Sequence, residues 1–216
     1  MTELDALERH PLVARLLRSL SQRPGTTVPA AERERRAAIL LALRARSDGE
    51  PELLMIKRAE FTGDPWSGHV ACPGGRMEPE DRDLAVTAVR ETMEETGVDI
   101  ARDGRLLGHL DELRPQGPLQ PAMVIRPYVA LVRADVKIVP SREVAEVFWV
   151  PVAALRAPAS WRMETVQVQG GERRVSVFQH GAYTVWGLTE RVLRQFLAYL
   201  GAPAAESSED GDVTRL

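Results

Sequence analysis

The sequence predicts one α/β domain with a helical extension at its N-terminus, on three observations. Two short apolar runs, AAILLAL (residues 37–43) and ELLMIKR (52–58), are joined by the polar turn RSDGEP and read as a strand hairpin. Residues 83–96 and 188–200 space their apolar side chains as amphipathic helices do, and further strand-like segments lie between them. The 216 residues, 44% of them hydrophobic, suffice for one substantial core, and no compositional break separates two full domains.

The expected division is 1–30 for the extension and its linker, 31–202 for the main domain and 203–216 for a tail. In the extension Leu4, Leu7, Leu12, Leu16, Leu17 and Leu20 follow helical spacing, with Pro11 tolerable near a helix start. SQRPGTTVPA then reads as linker, punctuated by Pro and Gly. After the hairpin, residues 59–77 are rich in Gly and Pro and read as loop. Gly97 ends the helix 83–96, as a C-cap that accepts left-handed backbone. Strand candidates follow at 105–113, 124–132 and 146–150, the last two dense in β-branched and aromatic residues. PVAALRAP opens with proline at a helix start, and TVQVQGGERRVSVF alternates on both sides of Gly170 and Gly171, a hairpin signal. The last helix buries Val192, Leu193, Phe196, Leu197 and Leu200 if its pattern holds, and the tail AAESSEDGDVTRL is small, polar and expected to be disordered.

Composition narrows the partner. A net charge of −3 and a pI near 5.9 argue against a surface for nucleic acid or an anionic membrane, so a small-molecule partner is expected. No apolar run approaches the roughly 20 residues of a membrane span, and MTELDALERHPL lacks a secretory pattern, so the expected location is cytoplasmic. The single cysteine, Cys72, has no disulfide partner and reads as a small buried apolar residue. No histidine pair has metal-ligand spacing.

The stretch AVRETMEETGV (residues 88–98) is unusual for an amphipathic helix. At about 100° per residue, Glu91, Glu94 and Glu95 fall within an arc of roughly 100°, with Val86, Val89 and Met93 opposite. Like charges three and four apart disfavour a helix by a few tenths of a kcal/mol per pair, and acids in a last turn oppose the macrodipole. One reading is a solvated acidic face. The other is a site for a hard divalent cation such as Mg²⁺ or Mn²⁺, which converts the repulsion into binding. Arg90 is placed to hold a carboxylate through a two-pronged contact. Gly74 and Gly75, in PGGRMEPED, let backbone approach a ligand just before this helix.

RETMEETGV matches the second half of the Nudix hydrolase signature, G-x5-E-x7-R-E-U-x-E-E-x-G-U with U aliphatic, at Arg90, Glu91, Glu94, Glu95, Gly97 and Val98. Thr92 stands where an aliphatic residue is usual. In the first half, the expected glutamate position holds Arg82 and the expected glycine holds Arg76, so Gly75 comes one residue early and the loop is one residue longer. This lengthened PGG loop resembles the coenzyme A pyrophosphohydrolase branch of the family. IRPYVALV, EVAEVFWVP and YTVWGLTERVL follow that branch in order, over roughly residues 37–200. Against its motif R-x-H-x-G-x3-F-P-G-G, Asp64, Trp66 and Cys72 replace the arginine, histidine and phenylalanine, which points to a sister group with a different or broader substrate choice.

The resemblance implies an α/β/α sandwich around a mixed β-sheet, and hydrolysis of a diphosphate linkage by water with Mg²⁺ or Mn²⁺. It implies Glu91, Glu94 and Glu95 with the Gly75 carbonyl as metal ligands and Arg90 as their orienting residue. Glu91, Glu143 and Glu146 are candidates for the general base, with a plain surface role equally open for the last two. Trp66, Ser67, His69 and Gly74 are candidate substrate contacts, and Arg58 a phosphate contact; a core-edge Trp66 and a strand-end Arg58 are the alternatives. The extension is a candidate homodimer contact. Coenzyme A derivatives, ADP-ribose, dinucleoside polyphosphates and oxidised nucleotides are all open as substrates, with coenzyme A-like ones favoured. A non-catalytic nucleotide sensor is the other class.

Overall fold

The computed structural model describes residues 2–29, 34–62, 66–115, 123–168 and 171–201. Its organising strand is β1 (Arg35–Ala45), paired with β2 (Pro51–Arg58) in the expected antiparallel hairpin and lying parallel to β6 (Met123–Val132). Parallel pairing in the middle and antiparallel pairing at the flanks make a mixed seven-stranded sheet. Period-2 alternation explains why residues 37–43 of β1 and 127–132 of β6 are continuously apolar: both faces are covered there. Leu41, Leu43, Val129 and Leu131 enter one core, while Leu40, Ala42, Tyr128 and Ala130 enter the other.

The second of these cores is roofed by α3 (Leu84–Thr96) and α4 (Ile100–Asp103). The first is closed by α2 (Pro11–Gln22), α5 (Val152–Arg156), α6 (Gly187–Tyr199) and a three-stranded sheet of β8 (Trp161–Val168), β9 (Gly171–His180) and β10 (Tyr183–Trp186). The α/β/α sandwich follows. All five apolar positions expected on α6 are buried. The extension is two helices, because Pro11 opens α2 at its first turn and His10 caps it; α1 (Glu3–Arg9) has its own capping box of Thr2 and Asp5. Leu7, Val13, Leu16 and Leu20 are buried in the same core as α6, so the extension packs onto the sandwich. No helix among the described residues is long and apolar enough to cross a membrane.

Three expectations need correction. Residues 59–77 are not all loop: β3 (Val70–Ala71) pairs with β2 and β4 (Gly74–Arg76) pairs with β1, strands too short to show a period. The strand expected over 105–113 is β5 (Gly104–His109), which stops early, with Leu113 rejoining the sheet only through an isolated bridge to Ile125. The third concerns the face of α3 that is buried. Met93 is 45% exposed and Val86 and Val89 are half-buried, whereas Leu84, Thr87, Ala88, Thr92, Glu95 and Thr96 are buried. Three threonines are tolerated there because each hydroxyl finds an acceptor: Thr87 on Asp81 (2.9 Å), Thr92 on the Ala88 carbonyl (2.7 Å) and Thr96 on the Thr92 carbonyl (2.6 Å). Residues 169 and 170 of the expected hairpin turn, and the tail, lie outside the described residues.

Candidate active site

Asp83 caps the start of α3, accepting from the Val86 N–H at 2.9 Å, and Gly97 ends it at φ 74°. The loop after β6, residues 133–143, seals that end: the Val139 N–H donates to the Thr96 carbonyl (2.7 Å) and the Ser141 N–H to the Glu95 carbonyl (3.0 Å). Those bonds bring Arg142 and Glu143 beside the last turn of α3. On its other side α3 lies against β4. The Gly74 N–H donates to the Glu95 carboxylate (2.8 Å), and the Arg90 guanidinium donates to the Arg76 carbonyl (3.0 Å).

The three glutamates therefore do not share one solvated face. Glu94 is exposed, Glu91 is half-buried against β4, and Glu95 is 4% exposed. Arg90 organises the outer two: its Nη1 lies 3.1 Å from Glu91 Oε1 and donates to Glu94 Oε2 at 3.0 Å. Arg90 is itself held by a fork, Nε and Nη2 donating to the two oxygens of buried Asp81 at 3.0 and 2.9 Å. Those bonds hold the Asp81 carboxyl well below the usual carboxylate range. On Glu95 burial wins: it raises the carboxyl to about 7, against the Gly74 N–H and the Arg58 guanidinium, 3.8 Å away, which favour the anion. Burial raises Glu91 too, opposed by Arg90.

Among the described residues no three acidic side chains form a ready metal cage. Glu94 is turned onto Arg90, and Glu95 onto Gly74. The donor set nevertheless suits a hard divalent cation, since hard carboxylate oxygens are gathered where Glu91 and Glu95 repel one another in partial burial. Gly75 makes that proximity feasible: a Cβ there would overlap the Glu91 carboxylate. Gly75→Ala is expected to displace Glu91 and lower kcat about a hundredfold, the scale of an ångström of misplacement, with the circular dichroism spectrum unchanged. Steady-state kinetics checks this.

Other anticipated contacts divide. Arg58 and Glu143 line a cleft of about 290 Å³ with Phe61 and Arg142. Ser67 does not line this cleft; its hydroxyl accepts from the Phe61 N–H (2.8 Å). His69 packs on the Trp186 ring, centroids 4.9 Å apart, and its N–H donates to the Trp66 carbonyl (3.1 Å); neither ring lines the cleft. Glu146 is not brought to the glutamates. It accepts from the Tyr183 hydroxyl (2.7 Å) and pairs with Lys57 (3.4 Å), on the sheet face that Phe148 shares with the α6 core. Alternation along β7 (Val144–Pro151) sends Val147 and Trp149, not Glu146, toward the α3 face. Buried Cys72 has its thiol pushed up to about 12 by desolvation, as an inert apolar residue should.

The NUDIX domain matches residues 33–167. An uncharacterized Nudix hydrolase, NudL, of Yersinia pestis (strain Pestoides F) is 31% identical over 161 residues, covering 74% of this chain and 77% of its own. This chain belongs to the Nudix family. A second relative of that name, from Photorhabdus laumondii subsp. laumondii, is 29% identical over 165 residues, 76% of this chain and 84% of its own. A MutT/nudix family protein from Enterococcus faecalis has a similar fold, with a TM-score of 0.50 at 19% identity over 93% of this chain and 80% of that one. In this Nudix hydrolase the departure at Arg82 has a structural counterpart. Asp81, one position earlier in the lengthened loop, supplies the carboxylate that grips Arg90. Sequence reasoning missed Asp81, Phe61 and Arg142. Only Asp81 left a signal, as an acid next to the signature position.

Proposed function

We propose that this Nudix hydrolase is a Mg²⁺- or Mn²⁺-dependent diphosphohydrolase of nucleoside-diphosphate derivatives, coenzyme A-like substrates first among them. The observation that carries this is the placement of Glu91 against Gly75 and of Glu95 on the Gly74 N–H, with Glu94 joined to Glu91 through Arg90 and that arginine held by the Asp81 fork. The preference for coenzyme A rests on the lengthened PGG loop and on the order of the later segments.

Glu91, Glu94 and Glu95, with the Gly75 carbonyl, would hold the cation, which supplies charge neutralisation for the diphosphate and acidifies water. Arg90 holds Glu91 and Glu94 in place while Asp81 fixes Arg90. Arg58 faces the incoming phosphate from beside Glu95. Glu91 and Glu143 are the acids at hand to accept a proton from the attacking water, since Glu146 lies across the sheet.

A panel of coenzyme A, ADP-ribose, dinucleoside polyphosphates and oxidised nucleotides, with products identified by mass, tests the assignment. Release of phosphomonoesters only with Mg²⁺ or Mn²⁺ is expected. Stabilisation by a nucleotide without any product would make the chain a sensor instead.

The Glu95 carboxyl also predicts a pH dependence. Its folded value of about 7 exceeds the ordinary 4.5, so the ion-free folded state binds the extra proton between those values and loses stability as pH rises through that window. A cation must displace that proton below pH 7. Mn²⁺ affinity, followed by titration calorimetry, is expected to fall by up to about tenfold per pH unit below 7 and to level off above it.

A further inference from the structure

We propose that Phe61 and Arg142 form a clamp for the nucleoside end of the substrate, Phe61 stacking on the planar base and Arg142 taking an oxygen of the adjoining phosphate. The clamp rests on the assignment of Glu91, Glu94 and Glu95 as the hydrolytic centre. It deepens that assignment by naming the side chains that hold the nucleoside end.

Phe61 is the only exposed aromatic side chain among the described residues, at 48%. An exposed ring of that size gains by meeting another flat apolar surface. Its position is set: the Ser67 hydroxyl takes the Phe61 N–H, which leaves the ring on the wall of the cleft. Opposite stands the loop docked on the end of α3, carrying Arg142. Among the described residues the Arg142 guanidinium has no hydrogen-bond or ion-pair partner, whereas Arg58 in the same wall is 3.8 Å from Glu95. Arg142 is thus the cleft cation that no carboxylate already engages, and a guanidinium matches phosphate oxygens in geometry as well as charge. Because Arg58 joins the cleft to Glu95, a base held on Phe61 leaves its phosphates pointing toward the glutamates. At about 290 Å³ the cleft is at the small end of ligand pockets, sized for one end of a substrate.

Titration calorimetry with ADP and with inorganic pyrophosphate, each in Mg²⁺, tests the clamp. Phe61→Ala is expected to weaken ADP about tenfold, the scale of one lost stacking platform, and to leave pyrophosphate unchanged; Phe61→Trp restores ADP. Arg142→Ala is expected to weaken both about tenfold. Both positions are exposed, and unchanged thermal midpoints verify the fold. The clamp is overturned if Phe61→Ala binds ADP as the parent does, or loses pyrophosphate equally, while pyrophosphate binding still depends on Mg²⁺ and Glu94. If Glu94→Gln leaves the Mg²⁺ dependence of pyrophosphate binding intact, the hydrolytic centre is misassigned and the clamp falls with it.

Discussion

Replacing Glu94 with Gln is expected to lower kcat about a thousandfold without moving the thermal midpoint. Glu94 is exposed, and its partner is Arg90. An isosteric amide keeps the shape and still offers Arg90 an oxygen, so the fold loses little; exposed ion pairs contribute at most about 1 kcal/mol. What is lost is an anionic ligand. If the carboxylates hold a cation that stabilises charge on the transferring phosphoryl group, that stabilisation is worth several kcal/mol, and a thousandfold corresponds to about 4 kcal/mol. A purely solvated acidic face predicts no change in kcat. Steady-state kinetics at saturating Mg²⁺, beside a thermal melt, separates the two.

Asp81→Ala is the prediction with the largest effect on stability, about 3 kcal/mol in urea unfolding. Asp81 is buried and accepts the Arg90 fork, the Thr87 hydroxyl (2.9 Å) and the Glu78 N–H (3.0 Å). Removing one partner of a buried charge pair strands the other, at a cost of about 3–5 kcal/mol; Arg90 keeps some contact with water, which favours the lower end. The Asp81 carboxyl lies below its ordinary value near 3.8, so its contribution is complete above that pH and is lost as pH falls beneath it. Acid unfolding of the parent should show this loss, and Asp81→Ala should not. Activity should fall as well, because Arg90 then holds Glu91 and Glu94 without support. A decline in stability with full activity would show that the fork is structural only.

Both predictions turn on residues that were unequally legible in the sequence. Arg90, Glu91, Glu94 and Glu95 are local: their spacing and Gly97 describe a helix and a candidate site before any fold is known. The hairpin of β1 and β2, β6 and α6 are legible for the same reason, since each carries its own period. The inner face of α3 was not. A helical wheel places Met93 with the valines, yet the helix turns Thr87, Thr92 and Thr96 inward, where their hydroxyls find acceptors on Asp81 and on the helix's own carbonyls. Glu95 consequently enters the core edge, and its raised carboxyl cannot be read from a wheel.

Glu143 and Glu146 differ for a reason only the sheet supplies. Three residues apart, they fall on either side of a strand start, and the strand sends Glu146 to Lys57 and Tyr183 while the loop keeps Glu143 in the cleft. Phe61 and Arg142 are 81 positions apart and meet because the loop after β6 docks on the last carbonyls of α3. Long-range closure of this kind leaves no periodic trace.

The most direct test is anomalous diffraction from a crystal soaked in Mn²⁺ near neutral pH. The expected result is a peak between the Gly75 carbonyl and the carboxylates of Glu91, Glu94 and Glu95, with Glu94 swung off Arg90. An empty α3 in crystals whose protein hydrolyses diphosphates in the same solution would contradict the account.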